Sequence, residues 1–196
     1  RSTMSDEVPK RLEGYEVVVT NKVVIDATAM ESSALRLIVV AATGTNNIDL
    51  TAAARRGITV CNVRDYASAA VSQHVFSLVL ALVTHLGDYT RAVGQGRWQQ
   101  SKVFCMLDYP IRELAGLTLG IIGYGNLGRR VAQIAQGFQM QVLICARPGS
   151  EAVPDGRVPL NTLLRTADVI SLHCPLSDAT RNLIGKAQLQ KMKSDA

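Results

Sequence analysis

The chain has 196 residues, of which 47% are hydrophobic, 19% charged and 5% aromatic, a composition typical of a globular protein rather than a disordered or collagenous one. The formal charge is +5, but the basic residues are scattered rather than gathered in the patch typical of nucleic-acid binders. Four cysteines without C-x-x-C spacing predict reduced thiols and a cytoplasmic protein. The longest dense apolar stretch, residues 75–83, is far shorter than the roughly 20 residues that cross a bilayer. We therefore expect no nucleic-acid partner and no membrane span.

Six short apolar runs bounded by turn residues predict β-strands. In chain order they cover residues 15–20, 37–42, 58–61, 118–122, 141–145 and 169–173. Helical periodicity predicts helices over residues 49–56, 126–136 and 160–166. Gly57 and Gly137 are expected to end the first two helices, because glycine is common just past a helix C-terminus. Continuous Val, Ile and Leu runs that alternate with helices predict an α/β fold with parallel sheets.

A long apolar pattern over residues 67–86 predicts a helix that is hydrophobic on nearly every face. Such a helix must be buried between layers or against another subunit. It divides the chain into a first unit, residues 1–65, and a second unit, residues 66–196, which begins with this helix. Residues 94–113 have no clean period and predict an extended arm or loop. The helix and the arm together predict a surface that needs a partner.

The most informative segment is a G-x-G-x-x-G pattern, formed by Gly123, Gly125 and Gly128. It follows a predicted strand and opens a predicted helix, and a second strand comes next, which is the context of a dinucleotide-binding site. In such a site Gly123 permits the tight turn, Gly125 lets the backbone approach the pyrophosphate, and Gly128 lets the helix pack closely on the strand. The helix N-terminus at Asn126 and Leu127 would offer N–H groups to the phosphates. A glycine-rich turn without a ligand is the alternative interpretation.

The end of the second strand bears on the choice between NAD and NADP. Sites that prefer NAD place Asp or Glu about 20 residues after the fingerprint, where the carboxylate binds the ribose 2′-OH. Here that region is Ala146-Arg147. Without a carboxylate a 2′-phosphate is not repelled, and the Arg147 guanidinium can bind it. The sequence therefore predicts NADP, and it leaves NAD open in case Arg147 is only an exposed loop residue.

The strands available after the fingerprint are too few for a complete domain. A Rossmann domain has about six strands in the order 3-2-1-4-5-6, whereas only three are predicted from residue 118 onward. The chain also starts at Arg1 rather than at a methionine. Both observations predict that the 196 residues are a piece of a longer protein.

Four segments, in this order, resemble the D-isomer-specific 2-hydroxyacid dehydrogenase family: residues 39–50, residues 57–62, the fingerprint, and residues 172–185. Residues 104–116 are similar to the glycerate dehydrogenase (hydroxypyruvate reductase) branch, and the resemblance covers nearly the whole chain. It implies a Rossmann-type doubly wound parallel sheet domain, residues 66–196, and a smaller flavodoxin-like α/β substrate domain, residues 1–65, both truncated. It also implies a homodimer.

The resemblance implies an oxidoreductase that transfers a hydride between NAD(P)H and a small 2-oxo acid such as hydroxypyruvate or glyoxylate, giving the D-2-hydroxy acid. The catalytic Arg, Glu and His of the family follow the segment that matches residues 192–196, so no catalytic residue is expected in this chain. His74, His85 and His173 are expected to be structural, and His173 is also placed to shape the cofactor pocket. A noncatalytic dinucleotide-sensing protein, like the corepressors that share this fold, is the alternative.

Further binding residues follow from the same resemblance. Thr43 and Gly44 lie at the substrate, and Thr43 also lies at the nicotinamide end of the cofactor. Their loop follows a strand, and its backbone N–H groups would form a small anion nest for the substrate carboxylate. A purely structural turn is the alternative interpretation of this loop. Cys174 and Pro175 match positions that line the adenosine side of the cofactor, and Thr180 lies close by. Cys174 is expected to be a buried, inert thiol, with a reactive thiol as the alternative.

Overall fold

A computed structural model describes residues 3–31, 33–150 and 152–196. The chain forms two units, the first ending at Tyr66 and the second beginning at Ala67. Each unit contains a three-stranded parallel sheet, and helices connect its strands. This is the α/β architecture that the alternation of apolar runs and helical patterns predicted.

The strands of the first unit are neighbours in chain order, β1-β2-β3, as strands 3, 4 and 5 are in the flavodoxin-like order 2-1-3-4-5. Helix α3 is capped by Asp49, whose carboxylate accepts a hydrogen bond from the Ala52 N–H at 2.8 Å, and Gly57 with φ +68° follows its end, as predicted. After a 3₁₀ turn at Ser5–Glu7, the elements are α1 Val8–Leu12, β1 Val17–Thr20, α2 Ala27–Glu31, β2 Leu37–Val40, α3 Leu50–Arg55 and β3 Thr59–Asn62.

The second unit is built around strand β4, all five residues of which are buried. Its helices are α4 Ser68–Val83, α5 Leu86–Gly94, α6 Arg97–Gln100, α7 Asn126–Gly137, α8 Leu160–Thr166 and α9 Lys186–Leu189. Its strands are β4 Thr118–Ile122, β5 Gln141–Ile144 and β6 Val169–Leu172. Helix α7 follows β4 directly, so the fingerprint lies at the carboxyl end of the central strand.

The sheet order of the second unit is β5-β4-β6, which matches strands 2, 1 and 4 of the Rossmann order. On the far side of β5, the place of the third strand is taken by a parallel bridge between Cys145 and Val158. The strand order therefore reverses between β4 and β6. In open α/β sheets such a switch point is where ligands bind, outside the carboxyl ends of the strands.

The prediction of a single helix over residues 67–86 is wrong. Helix α4 ends at Val83 and α5 begins at Leu86, and His85 between them adopts the left-handed conformation with φ +50°. Within the described residues, no single helix is long and apolar enough to cross a membrane, and α4 and α5 meet that criterion only as a pair bent by 63°.

The unit itself buries only part of this helix, so of the two expected partners, another layer or another subunit, burial against another subunit stays a prediction. Phe76 and Val79 pack into the core, where the Phe76 ring stacks on Phe138 with centroids 5.5 Å apart. Leu78 and Leu82 on the outer face are 52% and 75% exposed. An apolar surface on α4 is therefore left uncovered by the unit itself.

Two smaller expectations need correction. The segment 94–113, expected to be an extended arm or loop, includes helix α6. The Tyr89 hydroxyl donates a hydrogen bond to the Tyr109 carbonyl oxygen of this segment at 2.8 Å. Gly137 is the last residue of α7 rather than its terminator, and the left-handed conformation falls on Gln139 with φ +58°.

Candidate cofactor site

A cavity of about 620 Å³ lies in the second unit, at the carboxyl ends of β4, β5 and β6. Its walls are formed by the turn after β4, the loop after β5 and the segment after β6. The lining residues are Gly123, Tyr124, Cys145, Ala146, Arg147, Pro148, Gly149, Ser150, Arg157, Cys174, Pro175, Ser177, Ala179 and Thr180. The cavity therefore occupies the position at which a doubly wound sheet binds a dinucleotide.

Two fingerprint glycines are required by the fold of the unit itself. Gly123 has φ +96°, and a Cβ at this position would lie 2.4 Å from the backbone nitrogen of Cys174. A Cβ on Gly128 would lie 2.2 Å from the carbonyl oxygen of Gly123. These glycines therefore let the segment after β6 and the first turn of α7 pack directly against the turn after β4.

Gly125 differs from its two neighbours in the fingerprint. Its backbone is extended, with φ −80° and ψ −161°, a conformation that any residue adopts. A Cβ at this position would meet no atom within 4 Å. Neither conformation nor packing among the described residues therefore calls for glycine here. The open space beside Gly125 fits a group that must approach the backbone closely, as a dinucleotide pyrophosphate does.

The N-terminus of α7 offers backbone rather than side-chain groups. The Asn126 carboxamide oxygen accepts a hydrogen bond from the Arg129 guanidinium, and the Leu127 side chain packs against the core beneath β4. The first N–H groups of a helix have no intrahelical acceptor, and they carry the positive end of the helix dipole. This terminus could hold phosphate oxygens through its backbone.

The loop after β5 carries the cationic part of the cavity. Ala146 is buried, whereas Arg147 is exposed and lines the cavity. A second cation, Arg157, also lines it, and its guanidinium donates to the Cys145 carbonyl oxygen at 3.4 Å. Sequence reasoning missed Arg157, because nothing in the local pattern indicates that the chain returns to β5 at this residue.

The segment after β6 forms the opposite wall. The Thr180 hydroxyl donates to the Pro175 carbonyl oxygen at 2.6 Å and accepts from the Ser177 N–H at 2.8 Å. Its single proton is thus engaged within the segment, so Thr180 orders this wall rather than donating to a ligand. Cys174 is half-buried, whereas Cys145 is buried and burial raises the pKa of the Cys145 thiol. All four cysteines are free thiols.

His173 precedes this wall but does not line the cavity. Its Nε2 lies 2.9 Å from the Ser171 hydroxyl. Burial lowers the pKa of His173, because taking the ring out of water disfavours its charged form. The ring is therefore neutral at neutral pH.

Thr43 and Gly44 belong to the first unit, in the loop that follows the carboxyl end of β2. The Asn62 side chain donates to the Thr43 carbonyl oxygen at 2.7 Å and thereby supports the loop. Within the part of the chain that the structure describes, the backbone N–H groups of Thr43 and Gly44 have no hydrogen-bond acceptor.

Of the residues predicted from the sequence, the cavity of the second unit brings together Gly123, Arg147, Cys174, Pro175 and Thr180.

Comparison with known proteins places the cavity in a family context. Residues 76–196 match the NAD binding domain of the D-isomer specific 2-hydroxyacid dehydrogenases. Glycerate dehydrogenase from Methylorubrum extorquens is 46% identical over 193 residues, which is 97% of this chain and 60% of that protein.

Two solved structures share the fold. The TT0316 protein from Thermus thermophilus is 32% identical with a TM-score of 0.85, over 98% of this chain and 61% of that one. An acyclic imino acid reductase in complex with NADPH and D-Arg is 26% identical with a TM-score of 0.84, over 97% of this chain and 61% of that one. The chain thus spans about 60% of the length of these relatives. It belongs to the D-isomer-specific 2-hydroxyacid dehydrogenase family.

Proposed function

We propose that this chain supplies cofactor-binding and substrate-binding residues of an enzyme that reduces a small 2-oxo acid, such as hydroxypyruvate or glyoxylate, to the D-2-hydroxy acid. The observation that carries the proposal is the cavity at the carboxyl ends of three parallel strands, which Gly123 of the fingerprint lines. The likeness to a glycerate dehydrogenase supports hydroxypyruvate as the substrate. When bound, NAD(P)H supplies the hydride that passes from C4 of the nicotinamide to C2 of the substrate.

In this proposal residues 66–196 are part of the dinucleotide-binding domain. The backbone N–H groups of Leu127 and Gly128 in the first turn of α7 hold the pyrophosphate, which Gly125 allows to come close. The Pro175 ring and the half-buried Cys174 border the adenosine side, and Thr180 fixes that wall through its bond to the Pro175 carbonyl. The residues bind and orient the cofactor, so their contribution to catalysis is positioning.

Residues 1–65 are in this proposal part of the substrate domain. The N–H groups of Thr43 and Gly44, which have no acceptor among the described residues, suit a carboxylate, because adjacent backbone N–H groups in a turn form an anion nest. The Asn62 contact to the Thr43 carbonyl would keep this loop in place while it binds the substrate.

No residue of this chain is assigned the role of proton donor. His74 is exposed on α4, His85 lies at the break after α4 with its Nδ1 3.2 Å from the Asp88 carboxylate, and His173 is held neutral by burial. A neutral ring that already pairs with Ser171, outside the cavity, does not suit a general acid. The 196 residues alone are therefore expected to bind the cofactor without turnover.

The cofactor in this proposal is NADP. Ala146 stands where NAD-preferring sites carry a carboxylate, and the adjacent Arg147 lines the cavity. A guanidinium binds a phosphate through charge-assisted hydrogen bonds. Solved structures of this fold hold NADPH in one case and NAD in another, so the proposal of NADP rests on Arg147 and on the missing carboxylate.

We further propose a homodimer, with α4 and residues 94–113 in its interface. Both segments expose large apolar side chains, including Leu82 at 75%, Phe104 at 91% and Leu107 at 84%. Exposed apolar patches of this kind mark interaction sites, and a two-fold dimer covers the same patch on both copies. Sedimentation should show a dimer at micromolar concentration, and a monomer alone would contradict the proposal.

The test of the enzymatic proposal is steady-state kinetics with the full-length gene product. We expect oxidation of NADPH that depends on added hydroxypyruvate or glyoxylate. Tight binding of the cofactor without turnover of any 2-oxo acid would instead favour the noncatalytic, dinucleotide-sensing alternative. Failure to bind either nicotinamide cofactor would overturn both.

A further inference from the structure

The described residues that line the cavity include positively charged side chains and no negatively charged ones. Two guanidinium groups, those of Arg147 and Arg157, line it. None of the described lining residues is an Asp or a Glu. Two cations without a carboxylate between them attract a multiply charged anion, and each can bind phosphate oxygens through two parallel N–H···O bonds.

The backbone around Arg157 is fixed by strand pairing. Its neighbour Val158 forms the bridge to Cys145, with the Val158 N–H donating to the Ile144 carbonyl at 2.9 Å. The Ala146 N–H donates in turn to the Val158 carbonyl at 2.8 Å. The chain therefore leaves the end of β5 after Ala146 and lies beside it again at Val158. Two arginines ten positions apart in sequence thus face one cavity.

The side chain of Arg157 is more constrained than that of Arg147. Arg157 is half-buried, and its guanidinium donates to the Cys145 carbonyl oxygen at 3.4 Å. Arg147 is exposed, and its carbonyl accepts from the Ser150 N–H in the turn of the loop. A guanidinium has five N–H donors, so the contact with Cys145 leaves most of them for a ligand. A side chain that is already ordered loses less conformational entropy on binding.

We propose that Arg157 is a specificity-determining residue for the 2′-phosphate of NADP(H), acting together with Arg147. The inference rests on the proposed dinucleotide function. Arg147 approaches the phosphate from the turn of the loop, and Arg157 approaches it from the return segment beside β5. The 2′-phosphate carries close to two negative charges at neutral pH, so the second cation completes its neutralisation. None of the described lining residues is a carboxylate of the kind that binds the ribose 2′-OH of NAD.

The test compares adenosine 2′,5′-bisphosphate with 5′-AMP by titration calorimetry, because the two ligands differ only in the 2′-phosphate. Arg157→Ala should weaken binding of the bisphosphate by about 10- to 100-fold, the range of a charged hydrogen bond. Binding of 5′-AMP should change by less than about twofold, and this second ligand also reports whether the site has kept its fold. The parallel measurement on the protein is the affinity for NADPH against NADH.

Two further variants keep the test decisive. Arg157→Gln keeps a polar side chain with N–H donors but removes the charge, and it should lose the bisphosphate preference while binding 5′-AMP normally. Arg165→Ala is the matched control, because Arg165 is exposed on α8 and does not line the cavity. It should bind both ligands as the unmodified protein does.

The outcomes separate this inference from the function on which it rests. Equal losses for both ligands in Arg157→Gln, or no loss for either, would overturn the role of Arg157 while cofactor binding still stands. An unmodified protein that binds 5′-AMP and NADH as tightly as the 2′-phosphorylated ligands would overturn the inference too. Failure of the unmodified protein to bind any of the four ligands would overturn the proposed function as well.

Discussion

Alanine at the two later fingerprint glycines should separate cofactor binding from stability. At Gly128 the new Cβ would lie 2.2 Å from the Gly123 carbonyl oxygen, whereas ordinary contact begins near 3.4 Å. The first turn of α7 must therefore move by about 1.2 Å, and overpacking of this kind costs about 1–3 kcal/mol. For a unit of about 130 residues, that loss corresponds to a fall of several degrees in the midpoint of thermal unfolding.

Gly125→Ala should have the opposite effect: it should leave stability nearly unchanged and weaken cofactor binding. Its Cβ meets no atom within 4 Å and its backbone conformation suits alanine. Its effect on the free energy of unfolding should thus stay within about 1 kcal/mol, the size of an N-cap change. The affinity for NADPH should nevertheless fall by about tenfold or more, because the methyl group occupies the space that the pyrophosphate needs.

The assay pairs thermal unfolding with a fluorescence titration of NADPH for each variant. Gly137→Ala is the matched control at the other end of α7, where a Cβ also meets nothing within 4 Å. It should raise stability by up to about 1 kcal/mol, as alanine does in a helix, without any effect on binding. Unchanged NADPH affinity in Gly125→Ala would refute the assignment of that glycine to the pyrophosphate. Destabilisation equal to that of Gly128→Ala would refute the structural reasoning.

Three more predictions concern single side chains. Arg147→Ala should raise KM for NADPH by about tenfold or more and leave KM for NADH nearly unchanged in steady-state kinetics, and equal effects on both would remove the case for NADP. Burial alone would raise the pKa of Asp168. The hydrogen bonds that its carboxylate accepts from Lys193 and from the Thr118 N–H lower this pKa, as do the charges of Lys193 and Arg112, and the pKa of Asp168 lies below its ordinary value. Its stabilising contribution is therefore present above about pH 4 and is lost as pH falls through the lowered pKa. Asp168→Asn should cost about 2 kcal/mol at neutral pH, and denaturant titrations should show this difference shrinking in acid; a difference independent of pH would contradict it. NADPH should slow the alkylation of Cys174 by a maleimide, as followed by mass spectrometry, while the exposed Cys61 reacts at an unchanged rate. Equal alkylation rates at Cys174 with and without NADPH would show that this residue lies outside the binding site.

The sequence by itself determined the six strands, the helices α3, α7 and α8, and the fingerprint. Each predicted strand overlaps an observed one, and the predicted helix over residues 160–166 coincides with α8. These features are local, since an apolar run, a cap such as Asp49 and a glycine spacing act over a few residues of chain. The tight turn at Gly123 could be predicted for the same reason, because its left-handed φ is a property of that residue.

The tertiary structure alone decided how these elements are paired. The placement of β6 beside β4 creates the switch point, and the return of the chain at Val158 brings Arg157 to the cavity. These features cannot be recognised from a periodic sequence pattern, because hydrogen bonds between distant segments depend on which strands meet. The cavity and its charge therefore follow from pairing across the sheet, whereas the glycines that border it follow from the local backbone.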